Sequence, residues 1–163
     1  MKWAIFCSAA CWLFPATAFA APNGYFDLRP DIALETGGGW TIDGNRYHLF
    51  GVQSFIHGTT FTNKAGEKKD RGDASLAVLT AYIKDTTPVC APVTKADDAT
   101  YVTCYATISG KRLDLAMILI SSGYAFAAVR KDGHPQYAPY AAAELQAREN
   151  RAGLWQFTST ANE

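Results

Sequence analysis

An α+β domain built on a small β-barrel is predicted by three features of this sequence. Residues 40–56 contain two runs rich in β-branched and aromatic residues around Asp43-Gly44-Asn45, which tolerates positive φ, so the stretch reads as a hairpin. A second pair of strand-like runs brackets Lys95-Ala96-Asp97-Asp98. Helical patterns lie between and after these strands with no βαβ alternation, which points away from a parallel sheet.

The ends of the chain set the compartment. Met1-Lys2 is a short basic start, residues 3–14 are an apolar run too short to span a bilayer comfortably, and Ala18-Phe19-Ala20 is a small-x-small cleavage signal. Residues 1–20 are therefore expected to be a removed signal peptide, which predicts a periplasmic or secreted protein with no transmembrane segment after cleavage. About 140 residues then remain, a common size for one domain. The chain has 15 basic and 15 acidic residues, so no strong field exists to hold a polyanion, and nucleic acid gains no support from charge.

The elements follow in order. Residues 21–31, polar and punctuated by Pro22 and Pro30, read as an N-terminal arm or edge segment, and 32–157 as the domain. Gly37-Gly38-Gly39 lacks a basic residue and a following helix, so a turn is favoured over a phosphate cradle. The strand leaving the first hairpin at Gly51-Val52 presents Gln53, Ser54 and Ile56 at its end, where small folds commonly place groups that meet a ligand. Residues 57–71 read as a mobile, exposed loop.

From 73 to 84 the apolar residues Leu76, Val78, Leu79, Tyr82 and Ile83 recur at helical spacing after Gly72-Asp73. Cys90 and Cys104 are left as an even pair in an oxidising compartment once Cys7 and Cys11 leave with the signal. A disulfide closing a loop of about 15 residues is the favoured reading. The alternatives, a metal pair or a redox dithiol, would want a CxxC spacing or a nearby histidine. Residues 113–120 read as a short buried helix ended by Ser121-Ser122-Gly123, residues 124–127 as a strand, and Asp132-Gly133-His134-Pro135 as a loop. Residues 137–152 form the clearest helix, with Tyr140, Ala143 and Leu145 expected inward and Gly153 as its stop, and 158–163 as a disordered tail.

Three strings carry a family resemblance. Asp43-Gly44 leads into His48-Leu49-Phe50-Gly51-Val52; Cys104-Tyr105-Ala106 is followed at fixed spacing by Gly110, Asp114-Leu115, Leu119-Ile120 and Gly123-Tyr124-Ala125; and Tyr140, Ala143-Glu144 and Ala147 precede Gly153-Leu154-Trp155. Together, over roughly 32–155, they resemble the staphylococcal-nuclease-like (thermonuclease) family. The resemblance implies a five-stranded OB-type barrel with three helices, and its most specific parts, around Gly123 and Gly153, bear on fold rather than chemistry.

The chemistry is not carried over. Active members resemble one another in a strand of the type Arg-Leu-x-Gly-Ile-Asp-x-Pro-Glu, which here puts His48 at the arginine, Gln53 at the aspartate and Ile56 at the glutamate. Their Asp-Gly-Asp-Thr falls on Thr36-Gly37-Gly38-Gly39, and their second arginine falls near Ala99. Only Ser54 keeps a hydroxyl at a former metal position beside Gln53. The family reaction is understood to need carboxylate-bound Ca²⁺, a glutamate that activates water and two arginines, so these replacements imply little nuclease activity. No cofactor is expected; calcium enters only under the alternative of a phosphodiesterase. A second route to that alternative is a metal-free site built on His48 and His57 with Asp70, Arg71 or Lys64. The plainer reading leaves His48 at a partly solvated strand surface and His57 at the start of a polar loop.

Within the family, a signal-bearing and motif-poor member resembles the nuclease-like protein found among rhizobial succinoglycan (exopolysaccharide) biosynthesis proteins. That implies an accessory of envelope polysaccharide production, with polysaccharide or envelope biosynthesis proteins as partners and aromatic residues of an OB groove suited to sugars.

Overall fold

The computed structural model describes residues 24–157, so the expected signal peptide at 1–20 and tail at 158–163 lie outside the described residues. The first strands, β1 (Phe26–Asp27), β2 (Ala33–Thr36), β3 (Gly39–Ile42) and β4 (Asn45–Leu49), already hold the predicted hairpin. Ile42 faces Asn45 across a two-residue turn, and both turn residues are left-handed, Asp43 at φ 49° and Gly44 at φ 76°. That is the turn whose twist matches the strands it joins.

After β5 (Val52–Gln53), the stretch expected as a loop at 57–71 is instead a second small hairpin, β6 (Thr60–Thr62) against β7 (Lys68–Asp70). Its turn is held locally. The Asn63 carboxamide accepts from the backbone N–H groups of Ala65 and Glu67, replacing the hydrophobic alternation by which a strand pair is usually recognised.

Helix α1 (Arg71–Thr86) begins two residues before the expected start, because Asp70 caps it by accepting from the Asp73 N–H at 3.0 Å. It buries Ser75, Leu79 and Ile83, one residue per turn. Strands β8 (Val89–Ala96) and β9 (Ala99–Ile108) form the long hairpin, with Cys90 directly opposite Cys104 and the two bonded as a disulfide, their Cα atoms 4.0 Å apart.

Strand β10 (Lys111–Asp114) turns back on β9 through Ser109-Gly110, so Leu113, expected in a helix, belongs to the ladder opposite Ala106. The helix that follows, α2 (Leu115–Ser121), starts where the Asp114 carboxylate accepts from the N–H groups of Ala116 and Met117. The same carboxylate accepts from the Tyr140 hydroxyl at 2.6 Å, which joins α2 to α3 (Ala138–Glu149). On α3, Tyr140, Ala143 and Ala147 are buried, but Leu145 is 58% exposed rather than inward. Five residues after Tyr140 a helix has turned well away from the face that Tyr140 occupies.

The main sheet runs β1-β8-β9-β4-β3-β2, with β10 on β9 and β4 parallel to β9. Irregular register in β2–β3 and β8–β9 curls it into a half-barrel around Trp40, Leu49, Leu79, Val102 and Leu119, all fully buried. Mixed α+β architecture with three helices is thus the fold. The segment before β2 adds an edge strand, Phe26 opposite Cys90, and sends Leu28 into the core.

Two chain crossings lock the C-terminal half. Leu154 N–H donates to the Gly123 carbonyl at 3.1 Å, and a Cβ on Gly123 would lie 2.2 Å from the Ala152 carbonyl oxygen. A Cβ on Gly153 would meet the Ser122 carbonyl oxygen at the same 2.2 Å. The two glycines let these backbones touch. Among the described residues no helix is long and apolar enough to cross a membrane.

Candidate functional site

The exit of β4 into β5 (Val52–Gln53) brings several of the singled-out residues together. Thr36, at the end of β2, receives a hydrogen bond from the Ser54 hydroxyl at 3.3 Å and another from the Gly38 N–H at 3.3 Å. The three-glycine stretch is a turn, as favoured, and it is packed too tightly for side chains: a Cβ at Gly38 would lie 2.9 Å from Ser54 Oγ, and one at Gly39 2.6 Å from His48 Nδ1. Thr36, Ser54 and His48 thus meet around the glycine turn, which offers hydroxyls and an imidazole.

That donor set does not fit calcium. The ion takes six to eight oxygens and draws its affinity from carboxylate charge, whereas Gly38, Gln53 and Ser54 contribute none. Ile56, at the glutamate position, is 72% exposed and has no group able to accept a proton.

The positions onto which the resemblance lays the two arginines, His48 and Ala99, carry no arginine. His48 stands beside Tyr101, ring centroids 5.8 Å apart, and Ala99 is buried opposite Arg46 on β4. Arg46, the residue paired with Ala99 across β4 and β9, was not singled out by the sequence. It is engaged: its guanidinium pairs with Asp98 at 2.7 Å and with Glu35 at 3.5 Å. The hydrogen bond to Asp98 raises the Arg46 pKa and lowers that of Asp98, while the Thr41 hydroxyl, and after it Arg46, holds Glu35 below its ordinary value. An arginine so paired offers little to an incoming anion.

His57 and His48 do not form a pair in which one serves the other; the ring of His57 turns instead to Asp73 at 3.1 Å and Asp70 at 3.7 Å. Asp70 is held below its ordinary pKa first by the Asp73 N–H that it caps, and also by the N–H groups of Gly58 and Gly72. Among the described residues, His57, Asp70 and Asp73 are the one group of three such side chains whose ligand atoms lie within 4.8 Å of one another. Both Asp70 oxygens already serve backbone N–H groups, so the cluster reads first as a helix cap with a histidine docked on it.

Gln53, Ser54 and Ile56 do share a surface. They line one side of a cleft of 360 Å³ whose other walls are Phe55, Thr59, Arg71, Phe126, Trp155 and Phe157. Phe55, Phe126 and Trp155 form a contiguous aromatic cluster, with centroid separations of 4.3, 5.8 and 5.2 Å. Arg71 is only 4% exposed and donates to the carbonyls of Leu154 at 3.0 Å and Phe157 at 2.9 Å. Desolvation lowers its pKa. Its burial was not foreseeable from sequence, because the carbonyls that hold it lie 83 and 86 residues away along the chain.

Residues 59–157 match the family model described as staphylococcal nuclease homologue. No curated protein matches the chain.

Proposed function

The chain belongs to the staphylococcal nuclease homologue family, and we propose that it is an exported member in which calcium-dependent phosphodiester cleavage has been given up and the fold serves as a binding or accessory module of the envelope. One observation supports this: Gly38, Gln53, Ser54 and Ile56, the positions onto which the resemblance lays the catalytic carboxylates, bring no carboxylate to bind a metal or activate water. Arg46, opposite Ala99, is paired with Asp98 and Glu35. Export rests on the expected signal at 1–20, and a part in exopolysaccharide production rests on the resemblance to the succinoglycan-associated nuclease-like protein.

Restoring Gln53→Asp, Ile56→Glu and His48→Arg together tests the reading. Two new carboxylates supply charge that a hard cation requires, so calcium affinity measured by calorimetry should rise at least tenfold. DNA cleavage should stay low, because the triple variant still has no carboxylate at Gly38 and no arginine at Ala99. A triple variant with unchanged calcium affinity would mean that Gln53 and Ile56 do not face a common site.

A metal-independent phosphodiesterase is the second reading, favoured by the contact of His57 with two carboxylates, an arrangement able to support a general base. Cleavage of DNA that survives a chelator and vanishes in His57→Ala would establish it.

A further inference from the structure

We propose that the cleft below Ile56 is a binding site for a small apolar carboxylate, its acid group meeting Arg71 and its body lying among Phe55, Phe126 and Trp155. The volume of 360 Å³ lies within the range of sites that enclose small molecules. What selects an anion is the state of Arg71. Its guanidinium is buried, its Nε has no acceptor, and none of the ion pairs among the described residues includes it.

Two backbone carbonyls orient that cation but do not neutralise it. Its other neighbours are the rings of Phe55 and Phe61, 5.8 and 5.5 Å from the guanidinium carbon. A buried charge without a counter-ion is costly, and an anion entering the cleft would relieve that cost. The Trp155 indole N–H is likewise buried without an acceptor.

The walls then narrow the class of anion. Beyond Arg71 and the Trp155 indole the cleft offers only the side chains of Gln53, Ser54 and Thr59 as polar groups, too few donors for a doubly charged phosphate stripped of water. A carboxylate needs fewer, and the aromatic cluster suits an apolar or aromatic body joined to it. A neutral sugar would leave the Arg71 charge unanswered. The inference rests on the reading of the chain as a binding module, but its test uses neither metal nor nucleic acid, so a failure here leaves the absence of calcium chemistry untouched.

Calorimetric titration of the full chain with 4-phenylbutyrate and with its neutral amide tests it. Saturable binding of the acid is expected with Kd of roughly a few tenths of a millimolar, as befits a ligand of that size. The amide should bind at least tenfold more weakly. Ile56→Glu places a carboxylate at an exposed rim position where folding is not at stake, and should weaken the acid about fivefold or more, and weaken it more than the amide. Arg71→Gln, checked for retained fold by circular dichroism, should abolish the preference for the acid. Acid and amide binding alike, no saturable binding to folded wild type, or displacement of the acid by equimolar inorganic phosphate would each overturn the proposal. Binding that appears only when residues 158–163 are removed would assign the cleft to the chain's own tail and overturn it as well.

Discussion

Gly123→Ala should lower the free energy of unfolding by about 3 kcal/mol or more, combining the cost of a side chain at left-handed φ with that of overpacking. Both terms act at the same atom. Gly123 sits at φ 79°, and its new methyl group would stand 2.2 Å from the Ala152 carbonyl oxygen, a backbone atom that cannot swing aside as a side chain would. The Leu154 N–H to Gly123 carbonyl bond lies in the same crossing, so relief of the clash would stretch a hydrogen bond that ties α3 to α2. Urea denaturation of wild type and variant measures the difference. Gly153→Ala should be similarly severe, and the double variant should cost less than the sum, because either methyl group already forces the crossing apart. A loss below about 1 kcal/mol would mean that the crossing relaxes freely.

Cys104→Ala should cost about 3 kcal/mol, the loop entropy returned to the unfolded chain, and lower the melting temperature by roughly 10 °C in a domain of this size. Cys104→Ser should be worse. Cys104 is fully buried between β8 and β9, and serine would bring a hydroxyl there that alanine does not. Mass spectrometry of the purified protein should show two hydrogens fewer than the reduced form; two free thiols, or a melting temperature unaffected by reductant, would contradict the role of this pair.

Where short-range chemistry decides, the fold was legible. Asp43-Gly44 specified its turn through two left-handed residues, and the spacing of Cys90 from Cys104 matched a cross-strand pair. Legibility failed where distant backbone makes the decision. The 57–71 stretch has charged residues, Lys68, Lys69 and Asp70, in a strand whose partner is only three residues long, so no alternation marks it. Leu145 was assigned inward on hydrophobicity alone, although the stripe set by Tyr140, Ala143 and Ala147 excludes it.

The site divides along the same line. His48, Gln53, Ser54 and Ile56 were singled out through the resemblance, and the last three line one cleft. Arg71 could be named as a charged residue near His57, but nothing local says that its guanidinium turns away from Asp70 and Asp73 to the carbonyls of Leu154 and Phe157. Arg46 was missed for a related reason: its partners, Glu35 and Asp98, come from β2 and from the β8–β9 turn.

The most direct test is calorimetric titration of the unmodified protein with calcium, run beside a fluorescent DNA cleavage assay with and without chelator. A site whose donors are Gly38, Gln53 and Ser54 should show no calcium binding at micromolar concentration and no calcium-stimulated cleavage. Micromolar calcium binding together with chelator-sensitive cleavage of DNA would contradict the account, showing that an active phosphodiesterase site has been assembled from other residues.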